Sequence, residues 1–138
     1  MCIRDRSYFI LYVSDQARST AFYAAVLDLA PRLNVPGMTE FLLPSGGVLG
    51  LMPEAGIKNL LGPALPDPSL ARGIPRAEVY LLTEDALSYH RRALAAGAKE
   101  LSGFKVRDWG HTAAYSLDPD CHVLAFATST ALADDHSL

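Results

Sequence analysis

The feature that most constrains this chain is that its second half repeats the first. Shifted by 70 positions, Tyr8 lands on Glu78, Val13 on Thr83 and Asp15 on Asp85. Shifted by 75, Pro44 lands on Pro119, and Val48-Leu49-Gly50-Leu51 lands on Val123-Leu124-Ala125-Phe126. A chain of 138 residues built from two similar halves has to fold as two like modules, each too small to form a full core alone.

Each half starts with a strand. Tyr8-Phe9-Ile10-Leu11-Tyr12-Val13 is aromatic and β-branched and is bounded by Ser14-Asp15. Asp15 is placed to cap a helix over 17–29, marked by Ala21, Phe22, Ala25, Val26 and Leu29 and stopped by Pro31. Strands follow over 39–43 and 48–52 around Pro44-Ser45-Gly46-Gly47. The second half repeats the order: a strand over 77–82, Asp85 as cap, and a helix marked by Leu87, His90, Arg91, Leu94 and Ala98. Gly97 suits the left-handed position at that helix's end. Strands over 112–117 and 123–127 flank Asp118-Pro119-Asp120-Cys121-His122. Each half reads β-α-β-β with room for one more short strand, an α+β pattern.

Between the halves, 62–76 holds Pro63, Pro66, Pro68 and Pro75, so regular structure is not expected there. Its leucines are too apolar for a free linker and point to a crossover that lies on something. We divide the chain into a leader over 1–7, one domain over 8–128 (modules 8–61 and 76–128, linker 62–75) and a tail over 129–138.

Composition removes several functions. A net charge of -3 argues against a nucleic-acid partner. Half the residues are apolar, which excludes disorder, yet no apolar run approaches the roughly 18 residues of a membrane span. The short apolar run after Arg4-Asp5-Arg6 is no signal peptide, so a cytoplasmic location is expected, with Cys2 and Cys121 as free thiols. Gly46-Gly47 is a turn rather than a phosphate loop.

Four motifs then carry a resemblance. Tyr12-Val13-Ser14-Asp15 runs into Ser19-Thr20-Ala21-Phe22-Tyr23-Ala24-Ala25-Val26-Leu27. Downstream stand Ala93-Leu94-Ala95-Ala96-Gly97-Ala98, Trp109-Gly110-His111, and Asp118-Pro119-Asp120-Cys121-His122-Val123-Leu124-Ala125-Phe126. Their order, spacing and duplication resemble the vicinal oxygen chelate superfamily: glyoxalase I, bleomycin-resistance proteins and extradiol dioxygenases. The resemblance covers about residues 8–128. It implies two βαβββ modules in tandem, with curved sheets around a cleft that is often completed in a homodimer.

The resemblance also implies where a divalent metal would bind in metal-dependent members: at Tyr8, Gly50, Glu78 and Ala125. Only Glu78 offers a donor suited to such an ion. The family turn usually has glycine where Cys121 stands; a positive φ there would strain a cysteine by about 1 kcal/mol.

The expected function is therefore metal-free binding or sequestration of an amphipathic small molecule, with no cofactor. The expected ligand-binding residues are Tyr8, Tyr12, Gly50, Glu78, Tyr80, Trp109, His111 and Ala125. Strand alternation puts Glu78, Tyr80 and Leu82 on one face and Val79 and Leu81 against the helix. Alternative readings are a metal-dependent lyase, isomerase or dioxygenase, and a non-catalytic interaction module. His90 is expected partly exposed among Arg91 and Arg92. Met38 and Met52 read as core filler, and His111 and His122 as too far apart along a strand to share an ion.

Overall fold

The computed structural model describes residues 5–129, so Cys2 and most of the expected tail lie outside the described residues. The chain divides into two compact units, whose main boundary falls between Arg72 and Gly73; the last turn of the first helix, Ala25–Leu27, groups with the second unit.

The first unit opens with β1 (Tyr8–Val13), followed by α1 (Gln16–Leu27), β2 (Leu33–Val35), β3 (Met38–Leu42) and β4 (Val48–Pro53). Its sheet runs β1-β4-β3-β2, with β1 parallel to β4 and the other pairs antiparallel. This is the βαβββ module. The Asp15 side chain accepts from the Arg18 amide at 3.0 Å, as its sequence position predicts. The helix stops at Leu27, earlier than the expected Leu29, because Asp28 takes a left-handed cap at φ 54° before Pro31 is reached.

One face of this sheet carries α1. There Thr20 Oγ1 and Thr39 Oγ1 lie 2.8 Å apart, and the strand register puts Leu51 and Leu11 on the same side as Thr39. Leu11, Val13, Phe41, Leu49 and Leu51 are all buried. Tyr8, Ile10, Tyr12, Glu40, Gly50 and Met52 take the opposite face by alternation. Met38 and Met52 are half-buried, not core.

The unit continues into a helix absent from the sequence expectation, α2 (Glu54–Leu61), which buries Glu54 and Ile57. Pro53 and Gly56 disguise its pattern; proline is tolerated at a helix start, where its missing N–H would be unpaired anyway. The crossover beyond it also departs from expectation. Pro68–Ala71 forms a 3-10 turn, capped by Asp67 accepting from the Ser69 amide at 2.9 Å, which holds the Asp67 carboxyl below its ordinary range. Arg72 reaches back to the buried Glu54 with Nη2 at 2.7 Å and Nε at 3.0 Å. Lys58 donates to the carbonyls of Gly62 and Leu65. The crossover is thus fastened to α2 while Leu60, Leu61, Leu70 and Ile74 face outward.

The second unit repeats the module as β5 (Glu78–Leu82), α3 (Ala86–Ala95), β6 (Lys99–Val106), β7 (His111–Leu117) and β8 (Val123–Ser129). Its sheet order is β5-β8-β7-β6, again with the first strand parallel to the last. Asp85 stands at the N-cap of α3 without a side-chain cap bond; its own amide donates to Thr83 Oγ1. Gly97 takes φ 108°, as expected.

Phe126 on β8 stacks on Tyr89 of α3, with centroids 5.7 Å apart, which fixes the helix-facing side of this sheet. His90 is on that side too. It is 4% exposed, not partly open, and its Nε2 lies 2.8 Å from Glu100 Oε2 on β6. The partner that lets an imidazole be buried comes from another strand, so helix pattern alone could not locate it.

Cys121 takes φ 66° in the turn before β8, the strained geometry expected for a non-glycine residue. Asp118 holds this turn together: its Oδ1 accepts from the amides of Asp120 and His122, and its Oδ2 lies 3.0 Å from His122 Nδ1.

Candidate functional site

The face of the second sheet turned away from α3 gathers the polar and aromatic groups. Register decides its membership. Leu81 and Ala114 flank Phe126 on the helix side, so Glu78, Tyr80, Ala113, Tyr115, Ala125 and Ala127 take the other. The parity expected for Glu78 and Tyr80 is therefore present. Ala125 belongs to this face, where Ala113, Ala125 and Ala127 form a floor of small side chains, all fully buried. Such a floor lets larger rings from neighbouring strands lie across it.

Tyr80 is the hub. Its hydroxyl accepts from Trp109 Nε1 at 2.9 Å and lies 2.5 Å from His111 Nδ1. An indole N–H can only donate, so the tyrosine oxygen accepts there. The remaining hydrogen bond, between the phenolic oxygen and Nδ1, takes its direction from the imidazole tautomer. The Tyr80 and His111 rings are 5.7 Å apart. Trp109 remains 55% exposed, so its ring face is open while its edge is anchored.

The loop that presents Trp109 and His111 is held by Arg107, which sequence reading did not select. Its Nε and Nη2 both donate to the Ala113 carbonyl, at 3.2 and 2.8 Å, and Nη2 also donates to Gly103 O and Ser102 Oγ. These bonds bind the irregular part of β6, where the register shifts, to β7. The guanidinium carbon lies 5.1 Å from the centre of the Tyr115 ring. Arg107 carries no sequence signal, because its role depends on the hairpin folding back. Tyr115 was legible in principle: it stands at an even offset from His111 on one strand and so shares its face.

Burial, chiefly, and then the charges of Glu78 and Tyr80 raise the Tyr115 pKa above its ordinary 10.0, against an opposing pull from Arg107. A tyrosine whose folded pKa is raised keeps its proton longer when folded. Its contribution to stability is fully present below pH 10.0 and is lost as pH rises through the raised value. Glu78→Gln removes the second cause, so the Tyr115 phenolate should form at lower pH in that variant. A titration of ring-labelled tyrosine by NMR reads this; an unmoved midpoint would place Glu78 away from this face.

Of the other expected residues, Tyr8, Tyr12 and Gly50 stand on the first sheet, on the face away from α1. There Arg32 joins two of its neighbours: Nε meets Glu40 Oε1 at 3.0 Å and Nη2 donates to Tyr8 Oη at 3.2 Å. Arg32 and the buried Glu40 were not selected from sequence, although Glu40 sits directly opposite Gly50 in register.

The four positions at which the family resemblance implies a metal do not fit one. At Gly50 there is no donor, and a Cβ there would come 2.6 Å from Ile10 Cδ1, so the neighbouring side chain fills the direction a ligand would take. Ala125 has no donor either. The Tyr8 phenol is engaged by Arg32. Glu78 alone remains. His111 and His122 stand at opposite ends of their strand pair, His111 opposite Ser129 and His122 next to the Leu117–Val123 pair. Among the described residues, no three His, Cys, Asp or Glu side chains are grouped to hold an ion. Nor is any helix there long and apolar enough to cross a membrane.

Comparison with known proteins gives a consistent picture. A family model described as the Glyoxalase/Bleomycin resistance protein/Dioxygenase superfamily matches residues 6–126. Among solved structures, the chain is similar to a glyoxalase-related enzyme from Fulvimarina pelagi. That match has TM-score 0.75 and 21% identity, over 92% of this chain and 89% of that one. It is also similar to a glyoxalase/bleomycin resistance protein/dioxygenase from Nocardioides, with TM-score 0.72 and 17% identity, over 94% and 85% of the two chains. At such identities these likenesses show the fold alone. A search of curated proteins finds no match.

Proposed function

This chain belongs to the glyoxalase/bleomycin resistance protein/dioxygenase superfamily, and from that premise we propose that it binds an amphipathic small molecule without a resident metal. The ligand rests on the face of the second sheet that carries Glu78, Tyr80, Trp109 and His111. The observation that carries this reading is the Trp109–Tyr80–His111 chain of hydrogen bonds, which fixes three half-open polar rings on one surface. A core does not need such an arrangement, because it leaves a large indole face in water. Aromatic surface beside a few placed polar groups is the usual make-up of a ligand site.

A metal-dependent lyase, isomerase or dioxygenase is disfavoured by the donor set at the four positions. One observation favours a second reading, metal-free proton transfer: the Tyr80 hydroxyl already points at an imidazole nitrogen, as an acid–base pair requires. The reading as an interaction module finds no comparable support.

Trp109 is the only tryptophan in the sequence, so its fluorescence reports on the site directly. In a screen of aromatic and amphipathic compounds, we expect saturable fluorescence changes that are lost in Tyr80→Phe, which removes the hydroxyl holding both neighbours. Binding unaffected by Tyr80→Phe would overturn the assignment. We extend the proposal to a homodimer, supported by Leu60, Leu61 and Ile74 and by Leu70 at 81% exposure on the crossover. Light scattering on the same samples should give the mass of two chains; the mass of one would contradict it.

A further inference from the structure

We propose that the ligand of this face is an organic cation, a tertiary or quaternary ammonium with an apolar body, its charge seated between the Glu78 carboxylate and the Tyr80 ring and its body on the open face of Trp109. This rests on the reading of the second sheet face as a ligand site and names the ligand's charge.

The polar capacity left over on this face near Tyr80 is negative. Trp109 directs its one N–H into Tyr80, and the Tyr80 oxygen receives it. Arg107 directs Nε and Nη2 into the carbonyls of Ala113 and Gly103 and the Ser102 hydroxyl, and lays its charge over Tyr115. That guanidinium is therefore already satisfied by the protein, and the lysines that register puts on this face, Lys99 and Lys105, stand on β6, at the opposite edge of the sheet from β5. The anion is not satisfied. Glu78 is exposed and forms no ion pair among the described residues.

Glu78 and Tyr80 stand two residues apart on one face of β5, roughly 6–7 Å along the strand. That spacing suits an ammonium head group with a carboxylate on one side and a π face on the other. Aromatic rings attract such a cation through their negative faces, and a weakly hydrated quaternary ammonium makes the most of it. The charge of Glu78 is felt on this face, since it helps keep the Tyr115 phenol protonated. An anionic ligand seated between Glu78 and Tyr80 would meet that same unpaired carboxylate and find the guanidinium already engaged.

The experiment uses the whole chain and three small probes: benzyltrimethylammonium, benzyl alcohol and benzenesulfonate. Binding is followed by Trp109 fluorescence and confirmed by calorimetry. The inference expects saturable binding of the cation, at least about fivefold tighter than the alcohol, with no binding of the sulfonate. Glu78→Gln, at an exposed position, should remove that preference while leaving the circular dichroism unchanged; Glu78→Asp should retain part of it. Equal binding of cation and alcohol, or a preference untouched by Glu78→Gln, overturns the inference and leaves the site itself standing. Binding of the sulfonate but not of the cation does the same. If none of the three binds, the inference and the ligand site fall together.

Discussion

Phe126→Ala should destabilise the protein by about 3–5 kcal/mol, the usual range for removing a fully buried phenylalanine from a core. Phe126 is 1% exposed, stacks on Tyr89 and lies 6.4 Å, centre to centre, from His90. It projects from β8, the strand between β5 and β7, and so holds the sheet to α3. The opposite face of the same strand supplies Ala125 and Ala127 to the site floor. A cavity at 126 therefore loosens the strand on which the site rests. Urea unfolding followed by circular dichroism measures the loss. A change under about 1 kcal/mol would mean that the site's scaffold is not packed as described.

Arg107→Ala should act on both stability and site. Four hydrogen bonds from the guanidinium reach Ala113, Gly103 and Ser102, and the alanine variant loses all of them. Hydrogen bonds to a charged group contribute about 1.5–3 kcal/mol, which sets the expected cost. The larger consequence is positional. With the clamp gone, the loop carrying Trp109 and His111 loses its fixed distance from Tyr80, so the Trp109 emission should shift to that of a hydrated indole. Arg107→Lys should not restore it, because an ammonium cannot reproduce a forked guanidinium on three acceptors. Restoration by lysine would show that charge alone places the loop.

The parts of this molecule readable in the sequence are those fixed by local chemistry. Asp15 caps its helix because its carboxylate stands three residues before a free amide, whereas Asp85 occupies the matching position of α3 without such a bond. Glu78 and Tyr80 share a face because strand alternation leaves no choice once the strand is placed. The repeat predicted two like modules, and each has its first strand parallel to its last.

What escaped depends on partners that a different element or a folded-back hairpin supplies. His90 reads as exposed beside two arginines until Glu100 arrives from β6. Arg107 reads as a loop charge until Ala113 and Ser102 fold around it. Arg32 is paired with Glu40, 8 residues on, and with Tyr8, 24 residues back. The α2 helix was hidden by Pro53 and Gly56, and its attachment through Glu54 and Arg72 spans 18 residues. In each case the amino acid was visible and the partner was not.

We propose that this member of the superfamily holds no resident metal. Elemental analysis of protein purified without chelators tests it most directly. With Gly50 and Ala125 lacking donors, Ile10 filling the space at Gly50, and Tyr8 engaged by Arg32, zinc, nickel, iron and manganese should each be far below one ion per chain, in wild type and in Glu78→Ala alike. About one tightly held divalent ion per chain, lost in Glu78→Ala, would contradict the claim.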